Sequence, residues 1–576
     1  MSRKHNSGAI PSALTILHIS FLLVGLAACS GPENSTPPIT NTGTPGAEEA
    51  VGERLFLETR FAQAFKVFMD NGGNVNNSKA GDGVVDTVET LGAPINPGPF
   101  KGLSMNCRAC HLVDDVLSSP GAGMRTYADF ARRSPIPARA DGKTHAPRNS
   151  PPLVNASLNR PGGVLFHFDA EFTSMENLVT ATFTGRNFGW LHGEKSQAIA
   201  HIANVVRGDD GSFDLTDTGL SYRVLFTGTD PNIPEELRLP PQFRAFIGSS
   251  TDQEIFDAVV RVVSAYVRGL LFSQTEDSGA LIRSPFDVFL TINGLPQRPD
   301  PNESPLSYSR RLRALINAPG FSPRFVTSNP NRSNGQFQFH AQVFEFGATE
   351  LAGLKMFLAE PATLPASPGE LTAGTIGNCL ACHAAPNFTD FKLHNTGTTQ
   401  KEYDGIHGAN TFSALVIPDL ATRNGNYDAF LPGTEEHPAA SERFRAIPVL
   451  NNPALTDLGV WNIFANPDIP NTQTKIRVIL CDEQIPCPLS DSTLLDRAIA
   501  RFKTPGLRDL SHSAPYMHNG QFDTLEQVVE FYREISDLER ANTLRNGAPE
   551  LGGISVTSQD VSSLAAFLKA LNEDYQ

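Results

Sequence analysis

Apolar positions along this chain recur mostly with a helical period. From Asp252 to Phe272, residues Ile255, Phe256, Val259, Val260, Val263, Tyr266, Val267, Leu270 and Leu271 fall on one stripe, which predicts a long amphipathic helix. Nearer the C-terminus, Thr524 with Gln527 three residues on has the form of a capping box. Leu525, Val528, Val529 and Tyr532 then share one helical face. A closing helix is predicted behind Thr557 and Asp560, with Val561, Leu564, Phe567, Leu568 and Leu571 on its stripe. Strand-like alternation is sparse and short, so the expected fold class is mostly α. Two polar, proline-rich stretches interrupt the helices. Residues 29–50 read as a flexible tether, and residues 293–345 as a linker or surface insertion.

The first apolar run is of another kind. Arg3 and Lys4 precede a largely apolar stretch from Ile10 to Gly25, and Leu26-Ala27-Ala28-Cys29 follows. That is the pattern of an export signal over residues 1–28, with small residues before a cysteine as in a bacterial lipoprotein cleavage site. Cys29 is then the lipidated N-terminus. Ser30 in place of Asp favours the outer membrane, which implies a periplasmic, lipid-anchored protein whose membrane contact is through that lipid only. An ordinary signal peptide with an incidental cysteine is the alternative.

Composition fits a globular body, with 40% hydrophobic and 19% charged residues. The formal charge is −15, and loss of Arg3 and Lys4 with the signal takes it to about −17. A net-acidic chain without a basic cluster argues against nucleic acid as a partner. The 576 residues allow two or three domains.

The 7 cysteines carry the chemistry. Cys107-Arg-Ala-Cys110-His111 and Cys379-Leu-Ala-Cys382-His383 are the same device used twice. Two thiols three apart add across the vinyl groups of one haem, and the histidine that follows binds its iron. A zinc site would want further paired ligands, and a redox dithiol has no need of the histidine. Two covalently bound haem c groups are therefore expected. Cys481 and Cys487 remain, six apart, and in an oxidising compartment such a pair closes a disulfide; two free thiols are the alternative.

The stretch Phe502-Lys-Thr-Pro-Gly-Leu-Arg-Asp-Leu-Ser-His-Ser-Ala-Pro-Tyr-Met-His-Asn-Gly520, with Thr524 to Tyr532 behind it, resembles the bacterial diheme cytochrome c peroxidases and their MauG-like relatives. Gly52-Glu-Arg-Leu-Phe56, Arg148-Asn-Ser-Pro-Pro-Leu-Val-Asn155, Ser284-Pro-Phe-Asp287 and Phe388 to Gly397 match the same family in the same order. The resemblance implies two cytochrome-c-like helical haem domains with loop-rich insertions, residues 51–292 and 346–576. It implies that His111 holds the haem that reacts with hydrogen peroxide and His383 the haem that relays electrons. Tyr532 falls where MauG-like proteins place the sixth ligand of the relay haem; a core tyrosine satisfied elsewhere is the alternative, and Met517 is a rival ligand. The family also implies calcium held by the Asn149 side chain and the carbonyls of Ser513 and Pro515. From the residues alone these are ordinary loop positions.

This chain departs from the family pattern at two places. The tryptophan expected between the haems falls on Phe168, and the positions of the distal Gln, Pro and Glu fall near Leu178, Thr182 and Phe188. No acid or base stands there, although cleavage of an O–O bond needs a group that moves a proton. Arg186, Asn187, His192 and Glu194 are nearby candidates, and His167 reads as an interior histidine. Trp190 and Trp461 are the other aromatic candidates for hole transfer. Three activities stay open. One is a peroxide-using oxidoreductase fed by a small periplasmic cytochrome c or cupredoxin, with a homodimer as in the family. The others are an oxygenase-like diheme enzyme using O2, and a non-enzymatic electron relay or redox sensor.

Overall fold

The helical stripes become helices because their apolar faces have partners to cover. The computed structural model describes residues 46–77, 103–111, 133–137, 139–158, 163–212, 219–272, 274, 279–337, 340 and 342–573. Cys29, the signal segment and most of the tether lie outside the described residues. Those described belong to one compact unit, Thr40–Gln576. They are mostly helical, with one two-stranded antiparallel pair, Leu393–His394 on Phe502–Lys503. No described helix is long and apolar enough to cross a membrane.

The predicted stripe at 252–272 is helix Asp252–Gly269, opened by a Thr251/Glu254 capping box. Helix Leu525–Arg540 opens with the expected Thr524/Gln527 box. The last helix starts at Val561, and Thr557 bonds Asp560 in the turn before it.

Two close helix crossings organise the two halves. Helix Ala47–Phe56 crosses Asp252–Gly269, and a Cβ at Gly52 would lie 2.1 Å from the Val262 carbonyl oxygen. Helix Ala348–Phe357 crosses Val561–Lys569 in the same manner, with a Gly353 Cβ 1.9 Å from the Ser563 carbonyl oxygen. Glycine is needed at both because no side chain fits between backbones that near. Phenylalanine follows four residues on in both, Phe56 and Phe357, each buried.

Apolar burial forms three clusters. The first runs from Val51 to Leu281 and the second from Phe286 to Leu571. The third is built mainly from Leu393 to Ala500, with Leu165 and Ala170 reaching into it. The stretch read as a linker is part of the second core: helix Pro305–Ile316 buries Tyr308, Leu312 and Ile316, and Val326, Phe337 and Phe344 follow it in. Its polar residues cover one face of that helix, and its few apolar ones are enough to anchor it. Phe286 and Phe289 also pack in the second core, ahead of residue 293. The third core holds the Cys481–Cys487 disulfide, Cα atoms 5.8 Å apart.

Candidate haem sites

Each Cys-x-x-Cys-His motif folds into one tight turn. The His111 N–H donates to the Cys107 carbonyl at 2.9 Å and the His383 N–H to the Cys379 carbonyl at 2.8 Å. The turn gathers both thiols and the imidazole onto one wall of a cavity. All four cysteines are free of disulfides. Burial pushes their pKa values up, Cys110 and Cys379 to about 12, so they are neutral thiols.

The histidines are neutral too. Burial lowers His111 to about 4, against the pull of the Pro151 carbonyl. Burial likewise lowers His383, whose Nδ1–H donates to the Phe388 carbonyl at 2.8 Å. That bond fixes the tautomer and leaves Nε2 as the basic nitrogen, the state in which imidazole takes a metal. Two half-buried neutral thiols and a neutral imidazole on the wall of a largely apolar cavity fit a covalently bound haem at both motifs.

The N-terminal cavity is lined by Phe56, Met175, Leu178, Val179, Phe183, Phe188, Val263 and Val267 around the Cys107–His111 turn. The C-terminal cavity is lined by Phe357, Leu525, Val528, Val529, Tyr532, Leu564 and Leu568 around Cys379–His383. The two crossed helices of each half thus deliver matching residues. Phe168 lines both cavities, and it is buried.

A further internal repeat, which sequence reading missed, supplies lining to both cavities. Phe172-Thr-Ser-Met-Glu-Asn-Leu-Val179 and Phe522-Asp-Thr-Leu-Glu-Gln-Val-Val529 match in step. Ser174 and Thr524 cap their helices through the N–H of Asn177 and Gln527. Ahead of them, Phe166 bridges Phe172 and Tyr516 bridges Phe522. His167 and Met517 sit in the left-handed region at matching places, φ 61° and 71°. In this register Tyr532 matches Thr182, and both line their cavities. The signal was present in the sequence as Phe-x-[Ser/Thr]-x-Glu, but each copy is too short to stand out unaided.

Leu178, Thr182 and Phe188 all line the N-terminal cavity, as the ungapped count placed them. None is an acid or a base. Glu194 is not among the lining residues; its carboxylate accepts from the Leu191 N–H at 2.7 Å and closes a local turn. His192 lies further out, 3.2 Å from Glu442. His167, Arg186 and Asn187 do line the cavity. His167 Nδ1 is 3.0 Å from Glu171, which is gripped by both terminal nitrogens of Arg445. Behind them Arg148 joins Asp169 and Asp457. An open cleft of about 480 Å³ meets the cavity at His167, Thr182, Arg186, Asn187 and Arg445.

On the C-terminal side, burial raises the Tyr532 phenol well above its ordinary range, with both haem-motif cysteines close by. Met517 and His518 line the same cavity. Burial lowers His518 to about 3, and its ring stacks on Phe502 at 3.7 Å. Trp190 and Trp461 line neither cavity; the Trp190 indole N–H donates to the Phe61 carbonyl and Trp461 is buried in the third core.

Of the three residues expected around calcium, two meet directly. The Asn149 amide nitrogen donates to the Pro515 carbonyl at 2.6 Å, and its oxygen accepts from the Ser150 N–H. Ser513 is buried nearby in sequence, its hydroxyl bonded to the Asp509 carbonyl. In this arrangement the Pro515 oxygen is taken by a hydrogen bond that ties the two segments together, so the donor set does not present itself to a cation as it stands.

Helices that carry two Cys-x-x-Cys-His cavities, sharing one wall residue, define a diheme c-type cytochrome arrangement. No protein-family model matches the chain. It is 29% identical over 195 residues to the cytochrome-c peroxidase IdrP2 of Pseudomonas sp. (strain SCT), covering 30% of this chain and 50% of that protein. It is 37% identical over 73 residues to the methylamine utilization protein MauG of Methylorubrum extorquens, covering 13% of this chain and 19% of that one. The match thus spans half or less of these relatives' length. A solved MauG-like protein associated with microbial copper homeostasis aligns over 95% of both chains at 16% identity, TM-score 0.40. The sequence similarities support the diheme cytochrome c peroxidase/MauG-like family for this chain.

Proposed function

We propose that this chain is a periplasmic diheme c-type oxidoreductase that meets hydrogen peroxide at the His111 haem and relays electrons through the His383 haem. Cys107, Cys110 and His111 hold the first group, and Cys379, Cys382 and His383 the second. When bound, the haems supply the redox chemistry. The protein's own part is asymmetry, and that is the observation that carries the reading. Tyr532 lines the C-terminal cavity, and Thr182, whose hydroxyl donates to the Leu178 carbonyl at 2.9 Å, holds the matching place in the N-terminal one. Tyr532 would offer the second group a further protein ligand when bound, and Thr182 would leave the first open to a small oxidant.

His167, backed by Glu171 and Arg445, is the nearest group able to hold and move a proton at the cavity mouth. Phe168 lines both cavities, and its ring is much harder to oxidise than an indole, so between two bound groups it would serve as a spacer and not as a redox station. A small cytochrome c or cupredoxin is the electron donor in this reading, Cys29 carries the lipid anchor to the outer membrane, and the protein is a homodimer. Calcium at Asn149, Ser513 and Pro515 requires the Asn149 amide to release Pro515; addition of a chelator then changes the electronic communication between the haems.

A non-enzymatic relay is the second reading, and one observation favours it: His167 lines the N-terminal cavity, its Nδ1 is taken by Glu171, and its Nε2 makes no bond among the described residues and could serve as an iron ligand. Electron paramagnetic resonance of the ferric holoprotein separates the two. The enzyme gives one high-spin and one low-spin signal, both altered by peroxide. Two low-spin signals that ignore peroxide overturn it in favour of the relay.

A further inference from the structure

Arg186 opens the short turn Arg186–Phe188 behind helix Met175–Phe183. The chain folds back there because residue 185 is glycine: a Cβ would lie 2.5 Å from the Ala181 carbonyl oxygen. Phe188 is buried below the turn, and the Trp190 N–H donates to the Gly185 carbonyl at 3.2 Å, which clamps it. From this rigid base the Arg186 side chain lines both the N-terminal haem cavity and the open cleft beside it.

The buried and half-buried carboxylates at this junction are matched, and Glu435 and Glu436 stand exposed on the cleft rim. Glu171 is taken by Arg445 and His167. Glu442 is taken by Lys143, His192 and the Gly433 N–H. Asp169 lies against Arg148 and Arg445, and Asp468 is taken by Thr434 and His437. Arg186 forms no hydrogen bond or ion pair with these or any other described side chain; Glu442 and Glu171 pull on it only from a distance. Burial and the neighbouring Arg445 lower its pKa to about 10, so it stays charged at neutral pH. A half-buried guanidinium at a cavity mouth, with no counter-charge bonded to it among the described residues, has its planar fork of donors open to an anion, and that fork suits a carboxylate.

We propose that Arg186 is a carboxylate-binding residue at the mouth of the N-terminal haem cavity. Two sources offer that group: a propionate of the haem itself, or a small carboxylic acid entering through the cleft. Only the first source rests on the haem reading of Cys107–His111.

The test uses wild-type holoprotein, Arg186→Gln, which removes the charge, and Arg186→Lys, which keeps it. Haem content and circular dichroism first establish that each variant is folded. Calorimetric titration with succinate and the midpoint potentials of both haems are then measured. If the cleft is the source, wild type binds succinate, Arg186→Gln binds it at least about tenfold more weakly, and Arg186→Lys recovers part of the loss. If the propionate is the source, no succinate binds, and Arg186→Gln lowers the potential of the N-terminal haem alone, with Lys restoring it. Unchanged potentials together with equal or absent succinate binding in all three proteins overturn the proposal. Absence of covalent haem from wild type would instead sink the haem reading, and calorimetry alone would then judge Arg186.

Discussion

Tyr532 and Thr182 hold matching places on matching helices, one a phenol and the other a short hydroxyl. Tyr532→Phe keeps the ring packing and removes the oxygen. The expected outcome is a change of spin state at the C-terminal haem only, with two haems still attached; an unaltered spectrum would assign that iron to Met517 or His518. A second single-residue effect is electrostatic. Burial opposes the charge of Asp457, but Arg148, bonded to both its oxygens at 2.5 and 2.8 Å, holds its pKa down to about 2. An unfolded aspartate titrates near 3.9, so this pair stabilises the fold fully above about pH 4, and the contribution is lost as pH falls towards 2. Asp457→Asn leaves Arg148 short of a partner and should cost about 3–5 kcal/mol at pH 7. The variant's melting temperature should also fall less steeply than wild type between pH 4 and 2. Parallel acid limbs for the two proteins would rule this pairing out as the acid-labile contact.

Among elements, the helix crossings and the repeated capped helix decide where the haems sit. Gly353→Ala puts a methyl group against the Ser563 carbonyl, where helices Ala348–Phe357 and Val561–Lys569 touch. Overpacking of this kind costs about 1–3 kcal/mol, read as a lowered melting temperature. Because Phe357 and Leu564 line the C-terminal cavity, the same change should broaden the low-spin signal there and leave the N-terminal haem's signal as it was. Thr182→Tyr transfers the C-terminal arrangement to the N-terminal helix. It should convert the high-spin ferric signal to low-spin and slow the response to peroxide, and persistence of the high-spin signal would show that the two helices do not present this position alike.

For the whole molecule, three apolar cores hold two cavities against one shared phenylalanine. Cys379→Ser breaks one of two attachment bonds at the second motif. It should reduce covalently retained haem there on a denaturing gel while the first motif still stains, and full retention at both would refute thioether attachment through that cysteine. The share of this design visible in the one-dimensional chain follows distance along it. The haem motifs, the capping box at Thr524 and the helical stripes are all written within a few residues, because one turn of backbone sets their geometry. The linker reading of 293–345 failed because composition counts polar residues, and a few buried ones, Tyr308, Leu312 and Phe344, sufficed to bind that segment into the second core. The third core was missed for a related reason: its residues cluster only after the chain returns on itself.

Spacing alone thus determined the two tight Cys-x-x-Cys-His turns, the helical class and the cavity-facing side that carries Tyr532. Tertiary structure alone decided that Phe168 belongs to both cavities, that Glu194 closes a local turn while His167 reaches the mouth, and that no described carboxylate bonds Arg186. These depend on which side chains from segments hundreds of residues apart come within a few ångströms, and that is settled by packing of the cores and not by any local period.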